Sequence, residues 1–341
     1  MKTYRPVALL VWIVLRTAST SLAAASGDLF VVDQGTSIGT GSIDVYTPGA
    51  VFSLFVSNLY NPQCLAFDSS SNLFVGDGGT IYKYAPNGTN TVFATGLQNP
   101  ISLAFDKFGN LFVSDHAASS IVKFTPGGQQ TAIATNLLNL YGLAFDGEGN
   151  LFASERGSIL KIAPDGTQSY FIFGSAAVFG GPLAFDRSGN LYAAGADENH
   201  GNTPAIVRFT PGGVLSVFAT GFNGPASLAF DDGGNLYTTD NNGSTDTIYR
   251  ISPSGNTTVF ATRATRYAEY LAFAGVTLPV PPPPSVSILN TGSGAVLNFS
   301  GVLQESSDLQ RWQDVNPQPA SPWLLTTNTD LIFFRARSAS N

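Results

Sequence analysis

The sequence contains one cysteine, Cys64, in 341 residues, so the chain cannot form an internal disulfide. Its stability must then come from an apolar core, for which 43% hydrophobic residues provide ample material. Cys64 directly precedes an apolar run, and no sequence feature places a histidine base beside it. We therefore expect a buried thiol and not a nucleophile.

Charged residues are also scarce, at 11% of the chain, and the net charge is −7 with a pI near 4.7. Binding to nucleic acid needs a basic surface, so this composition argues against a nucleic-acid partner. The sequence lacks a Ser-His-Asp spacing, a zinc motif, a phosphate-binding loop and a dinucleotide-binding fingerprint. No enzyme class that short motifs identify is therefore indicated.

The first 25 residues have the features of a targeting segment. Lys2 and Arg5 precede an apolar run at residues 7–15, and the small residues 23–25 offer a cleavage site. The run is too short to cross a bilayer, so we predict a cleaved signal peptide over residues 1–25, with a retained anchor as the alternative. No later segment has eighteen uninterrupted apolar residues, so we expect no transmembrane segment after cleavage. The predicted location is extracellular, at the cell surface of a bacterium, or periplasmic.

Two short words recur along most of the chain at intervals of 38 to 45 residues. The first is Leu-Ala-Phe, which begins at Leu65, Leu103, Leu143, Leu183, Leu228 and Leu271. The second is Leu followed by Phe or Tyr, which begins at Leu29, Leu73, Leu111, Leu151, Leu191 and Leu236. A period of this length indicates a repeat architecture.

Each repeat predicts four short strands, most clearly at residues 101–105, 111–114, 121–124 and 131–135. An Asp-x-x-Gly-Asn turn separates the first two strands, because an Asp side chain can accept a bond from the backbone two residues on. A Pro-Gly-Gly turn at Pro126 separates the last two. Four strands in about 40 residues is typical of propeller blades.

The phase of the repeats predicts how the ring closes. The first unit begins at a second strand, residues 29–32, and the last has only a first strand, residues 270–273. Together they make one blade, which with five complete units gives six blades. The fold class is therefore all-β: a six-bladed β-propeller closed by pairing of N- and C-terminal strands over residues 26–276. Closure removes open sheet edges that invite aggregation.

The repeat, as in GNLFVSD and IVKFTPGG, resembles the NHL family of propellers over about three quarters of the chain. Such propellers are also similar to the gluconolactonase and senescence-marker lactonases, and more distantly to the streptogramin lyases. The lactonase resemblance implies a divalent cation, such as calcium, held by a Glu, an Asn and an Asp at the channel mouth. The lyase resemblance implies a catalytic histidine.

The tail divides into a Pro-rich linker, residues 277–285, and a small C-terminal β domain, residues 286–341. Strands are predicted at residues 286–289, 296–299 and 331–335, with Trp312 and Trp323 as core candidates. The segments VLQESSDLQRWQDV and FFRAR resemble small β modules of exported bacterial proteins. We interpret this part as an accessory or surface-attachment domain, or as a module that packs on the propeller.

The residue two positions before each Leu-Ala-Phe leucine should surround the channel mouth. These residues are Gln63, Ile101, Tyr141, Gly181, Ala226 and Glu269. Glu269 matches the lactonase Glu position and is the candidate metal ligand. No Asn or Asp stands at the other five positions, so the lactonase ligand set is mostly absent.

The two histidines, His116 and His200, follow second strands and are weak catalytic candidates, as is Glu269. The loop that carries His200 also holds Asp197 and Glu198, and it is an insertion relative to neighbouring units. We name Gln63, Tyr141, Glu269, Asp197, Glu198 and His200 as candidate ligand-binding residues.

An acidic residue closes the second strand in most units: Asp33, Asp77, Asp115, Glu155 and Asp240, with Gly195 in the remaining unit. These acids would attract a cation or basic ligand, or they cap local loops or pair with the basic residue on the third strand. Because acid and base recur in the same units, we favour the structural role.

The sequence thus predicts a monomeric secreted propeller whose channel-mouth face binds a protein or carbohydrate ligand, with no cofactor. The alternative is a calcium-dependent lactone hydrolase or lyase. The absence of most lactonase ligands favours the binding protein.

Overall fold

The computed structural model describes residues 27–175, 178–197, 203–241, 246–263 and 268–274, and six short strands between residues 286 and 337. Side chains are described over residues 27–175, 180–196, 203–240, 246–262 and 270–274. The predicted signal peptide, the linker at 277–285 and the loop with Glu198 and His200 lie outside these residues. Among the described residues, no helix has the length and apolar character needed to cross a membrane.

The propeller strands follow one another in chain order. The first twelve are β1 (Leu29–Asp33), β2 (Gly41–Tyr46), β3 (Phe52–Leu59), β4 (Pro62–Phe67), β5 (Leu73–Asp77), β6 (Thr80–Tyr84), β7 (Asn90–Ala94), β8 (Pro100–Phe105), β9 (Leu111–Asp115), β10 (Ser120–Phe124), β11 (Gln130–Thr135) and β12 (Leu143–Phe145). The next twelve are β13 (Leu151–Glu155), β14 (Ser158–Ile162), β15 (Gln168–Ile172), β16 (Val178–Phe185), β17 (Leu191–Asp197), β18 (Thr203–Phe209), β19 (Leu215–Thr220), β20 (Ala229–Phe230), β21 (Leu236–Asn241), β22 (Asp246–Ile251), β23 (Thr257–Arg263) and β24 (Ala268–Phe273).

These strands form six antiparallel sheets of four strands, so the chain folds as a six-bladed β-propeller. Blade 1 is β24-β1-β2-β3, and blades 2 to 6 follow in sequence, each with four consecutive strands. In blade 1 the first and last propeller strands pair, with Val31 opposite Leu271 and Leu29 opposite Phe273. The predicted closure is therefore confirmed, and the four strands predicted for residues 101–135 agree with β8 to β11 within one residue.

The antiparallel order places the connections at two ends of the propeller. Connections from the second to the third strand, and from one blade to the next, share one end, which we call the mouth face. Turns from the first to the second strand share the opposite end. In these turns Asp106 Oδ1 accepts the N–H of Phe108, as the sequence predicts, and its Oδ2 accepts the Asn110 side-chain amide. The same Asp–Asn pair, 2.7–2.8 Å apart, recurs in blades 2 to 6.

Neighbouring blades are joined by aromatic pairs that use both repeated words of the sequence. The ring on each second strand packs edge-on against the Phe of Leu-Ala-Phe in the next blade. The six pairs have centroid distances of 4.9–5.1 Å and interplanar angles of 70–81°. They are Phe30–Phe67, Phe74–Phe105, Phe112–Phe145, Phe152–Phe185, Tyr192–Phe230 and Tyr237–Phe273. Such pairs contribute about 0.5–1.5 kcal/mol each beyond burial of their area.

A β-bulge on the fourth strand adds a further apolar side chain to each interface. In every blade the register shifts opposite the third-strand isoleucine, which leaves one extra residue on the outer strand. In blade 2 this residue is Phe93, whose ring lies 5.0 Å from Phe74. In blade 3 it is Ile133, which packs against the buried core beside Phe112. The bulged residue of the outer strand therefore contributes its side chain to the core between blades.

The third-strand bases have a different partner from the one that the sequence suggested. Lys83, Lys123 and Lys161 place their ammonium groups 5.4–5.5 Å from the centroids of the second-strand rings of their own blades. Lys83 also lies 3.9 Å from Asp68, in the turn opposite the mouth face. Pairing of these bases with the acids that close the second strands was one of two structural roles that the sequence left open. It is wrong for these blades, because the two groups lie toward opposite ends of the sheet.

Beyond the propeller, six strands form two three-stranded sheets. The strands are β25 (Val286–Thr291), β26 (Gly294–Phe299), β27 (Val302–Ser306), β28 (Gln313–Asp314), β29 (Trp323–Leu325) and β30 (Phe333–Arg337). The sheet orders are β25-β26-β29 and β28-β27-β30. The first two predicted strands fall within β25 and β26, and the third overlaps β30. That these strands form a domain of their own stays a prediction, and Trp312 lies outside the described residues.

We expect Phe105→Ala to destabilise the propeller by about 3–5 kcal/mol, because it removes a buried ring from the interface of blades 2 and 3. Phe108→Ala, three residues later, is the matched control, since that ring is 67% exposed and its loss should change stability by less than about 0.5 kcal/mol. Denaturant unfolding of both variants measures the difference. An equal loss of stability in the two variants would contradict the stabilising role of the Phe74–Phe105 pair.

Candidate functional site

A cavity of about 330 Å³ lies on the propeller axis and is lined by residues from all six blades. Six leucines, one from each Leu-Ala-Phe word, line it, and each is 5–8% exposed. Tyr141 and Tyr270 supply aromatic surface, and Ser102 and Ser227 supply hydroxyls. No charged side chain is among the described lining residues, so the cavity suits an uncharged group.

Glycines bring blades 4 and 5 close together at this cavity. A Cβ at Gly142 would collide with the carbonyl oxygen of Gly181 and lie 2.9 Å from the Cα of Pro182. The hydroxyl of Ser154 donates to the Gly181 carbonyl and accepts the N–H of Gly142. The cavity wall is therefore fixed by close backbone packing between blades 4 and 5 and by the Ser154 hydroxyl that bridges them.

The residues predicted to surround the channel mouth do not all contribute to the cavity. Tyr141, Gly181 and Ala226 line it, whereas Gln63 is outside the lining and half-buried in β4. The Gln63 Oε1 atom is buried and has no hydrogen-bond partner among the described residues. Glu269 belongs to β24, but its side chain lies outside the described part, as does that of Asp197 in β17. Their predicted roles stay predictions.

His116 has a partner that fixes its ring at the mouth face. Its Nδ1 donates to the carbonyl of Leu140 at 2.6 Å, and its ring lies 5.1 Å from that of Tyr141. Tyr141 also lies against the backbone of Gly180, where a Cβ would approach its ring to 2.7 Å. His116 therefore holds the connection into blade 4 and positions Tyr141, while Nε2 is the ring nitrogen left for other contacts.

The acids that close the second strands bind backbone groups of the connections that lead into their own blades. Asp115 accepts the N–H groups of Gln98 and Asn99, at 2.9 and 2.7 Å. Asp77 and Asp240 make the equivalent pairs of bonds. The predicted loop-capping role is confirmed for these three acids. Their carboxylates therefore bind the mouth-face connections to the second strands of the blades.

Within the part of the chain that the structure describes, no group of three or more His, Cys, Asp or Glu side chains is arranged to hold a metal ion. Calcium binding through Glu269 stays a prediction. Cys64 is buried as expected, and its Sγ lies 3.2 Å from the carbonyl oxygen of Pro100. Burial raises the pKa of this thiol well above its usual range, which keeps it protonated and unreactive.

Three exposed apolar side chains lie on blade 4 or in the connections on either side of it, near the mouth face. Leu138 and Phe173 are each 76% exposed, in the connections into blades 4 and 5, and Tyr170 is 52% exposed in the middle of β15. The rings of Tyr170 and Phe173 are 4.9 Å apart. Glu155 accepts the N–H of Leu138 and the hydroxyl of Tyr170, and its charge raises the pKa of that phenol. We call these three residues the rim cluster.

Sequence reasoning missed the rim cluster and also the connection from Asp33 to Gly41. Seven residues join β1 and β2 there, whereas two join the second and third strands of blades 2 and 4 and four join those of blade 3. The length difference was available in the sequence as a signal. No sequence signal indicated the rim cluster, since single apolar residues in polar loops are common.

Comparison with known proteins identifies the fold. No family model matches the chain, and no curated protein matches it in sequence. Among solved structures, a chain of a nidogen–laminin complex is similar with a TM-score of 0.61 and 19% identity, covering 73% of this chain and 98% of that one. A candidate TolB from Agrobacterium tumefaciens is similar with a TM-score of 0.56 and 11% identity, covering 72% of this chain and 92% of that one. A candidate gluconolactonase is similar with a TM-score of 0.50 and 17% identity, covering 70% of this chain and 84% of that one. At these identities the similarity shows the propeller fold alone.

We expect Gly142→Ala to destabilise the propeller by about 1–3 kcal/mol, because the new methyl must push the backbones of blades 4 and 5 apart. Gly224→Ala is the control in the connection into blade 6, where nothing lies within 4 Å of a new Cβ. The melting temperatures of both variants test this. An unchanged value for Gly142→Ala would show that the two blades are not in close contact.

Proposed function

We propose that this chain is an exported, non-catalytic interaction module that binds a protein partner through its mouth face. The rim cluster carries the proposal. Its rings Tyr170 and Phe173 lie 4.9 Å apart, and adjacent exposed apolar side chains on a folded surface are typical of interaction sites, whereas isolated ones are ordinary. Aromatic rings in particular supply large contact area with little loss of conformational freedom on binding.

The opposite face also carries large exposed apolar side chains among the described residues. They are Val51 and Phe52 in blade 1, Phe108 in blade 3, and Val214 and Leu215 in blade 5. These three groups are separated from one another by a whole blade, so none of them joins neighbouring blades as the rim cluster does. The mouth face is therefore the better candidate for a partner.

The rim cluster is also held rigidly, which favours binding. Leu138 is fixed through its backbone to the buried carboxylate of Glu155, and Tyr170 is bound to the same group. Tyr141, three residues beyond Leu138 in the same connection, lines the cavity on the axis. A surface that is ordered before binding loses less entropy in the complex. The net charge of −7 favours a neutral or basic partner over an acidic one.

A similar fold in the nidogen–laminin complex agrees with protein binding as a use of such propellers, although it identifies no partner here. The calcium-dependent hydrolase or lyase remains the alternative. It depends on Glu269 and His200, whose side chains lie outside the described residues.

The test is affinity capture from the extracellular fraction of the native source, with the mature chain as bait and quantification by mass spectrometry. We expect a partner retained by the wild type to fall at least about tenfold with the double variant Leu138→Ser, Phe173→Ser. Phe108→Ser, on the opposite face, should retain it, and the melting temperatures of all baits should agree. Equal yields from the three baits would contradict the proposal.

A further inference from the structure

We infer that a second site, separate from the rim cluster, binds a neutral sugar between blades 1 and 2. A pocket of about 250 Å³ lies on the mouth face between the long connection Gln34 to Thr40 and the two residues Tyr60 and Asn61. Thr36, Ser37 and Ile38 complete its lining. This is the place where the connection after the second strand is longest among those described, and departures from a repeat are where binding sites are grafted.

The pocket is assembled before any ligand arrives. The N–H of Gly39 donates to the carbonyl of Tyr60 at 2.9 Å, which ties the long connection to blade 2. The Thr40 hydroxyl donates to the Ser37 carbonyl at 2.7 Å and accepts the Ser37 N–H at 3.1 Å. Gly35, at φ 74°, donates to Asp33. These bonds close the connection on itself, so it is a fixed wall of the pocket.

Tyr60 is an aromatic platform in this wall. Its side chain is 59% exposed, yet its backbone is bound on both sides, by Gly39 and by Asp77 Oδ2 at 3.0 Å. The ring lies against Gly78, where an added Cβ would be 3.2 Å from the ring carbon Cδ1. A ring that is supported from behind and open in front can stack against the apolar C–H face of a sugar.

The polar lining matches sugar hydroxyls. A hydroxyl both donates and accepts hydrogen bonds, and a side-chain amide offers both functions in one plane. The backbone N–H and C=O of Asn61 are bound to Asp77 and Gly78, while its side-chain amide makes no hydrogen bond to any described residue. The Thr36 hydroxyl lies on the exposed side of the same pocket.

The chemistry of the lining selects against other ligand classes. It contains no charged side chain, so an anionic ligand such as a phosphate or uronic acid would find no counter-charge. The nearest carboxylates, Asp33 and Asp77, bind backbone N–H groups, which leaves them poorly placed to hold a cation. A wholly apolar ligand would leave the amide and hydroxyl groups unpaired.

The experiment is binding of the full mature chain to an array with two arms, neutral polysaccharide fragments and neutral glycans of the glycoprotein type, followed by titration with the best glycan. We expect Tyr60→Ala to weaken binding by at least about tenfold and Tyr60→Phe to stay close to the wild type, because the ring carries the contact. Tyr170→Ala, in the rim cluster, is the matched control and should bind as the wild type.

The arm that binds identifies the source of the sugar. Should Tyr60→Ala lower the melting temperature, Asn61→Ala replaces it, since the backbone bonds of Asn61 do not need its side chain. No binding to either arm, binding only to acidic glycans, or full binding by Tyr60→Ala and Asn61→Ala would overturn the inference. Loss of the protein partner in Leu138→Ser, Phe173→Ser with sugar binding intact would separate this site from the proposed function.

Discussion

The edge-on contact between one second-strand ring and the Phe of the next blade is the interaction on which the propeller depends. A four-stranded blade has two apolar faces and cannot bury them alone. Six contacts of nearly equal distance, from Phe30–Phe67 round to Tyr237–Phe273, set the spacing and tilt of neighbouring blades. The last contact exists only because β24 joins blade 1, so strand pairing and ring packing close the structure at the same place.

In the closed ring of six blades, some residues maintain the fold and others are free to vary. The leucines and glycines near the axis fix a small uncharged cavity, and the acids that end the second strands hold the mouth-face connections to the blades. Because those connections are anchored by their backbones, their side chains can change without loss of the fold. Leu138 and Tyr60 are such side chains, and each belongs to one of the two proposed binding surfaces.

The sequence predicted the fold well because the same physical need recurs in every blade. Leu-Ala-Phe and Leu-Phe or Leu-Tyr are the two sides of one interface, so their phase predicted six blades and the composite blade. The site was less predictable. Counting from the leucines found Tyr141 at the cavity, but it also selected Gln63, which lies outside the lining. The fourth-strand bulge and the contacts of Tyr60 with Gly39 and Gly78 join residues through backbone geometry that no local pattern encodes.

Hydrogen exchange of the unmodified mature chain tests most directly that the ring is closed by β24 and β1. The account predicts that amides in residues 29–33 and 270–273 exchange as slowly as those of β8 and β9 in blade 3, because all are released by the same unfolding event. Exchange of residues 270–273 at the rate of an unprotected peptide, with blade 3 still protected, would contradict closure.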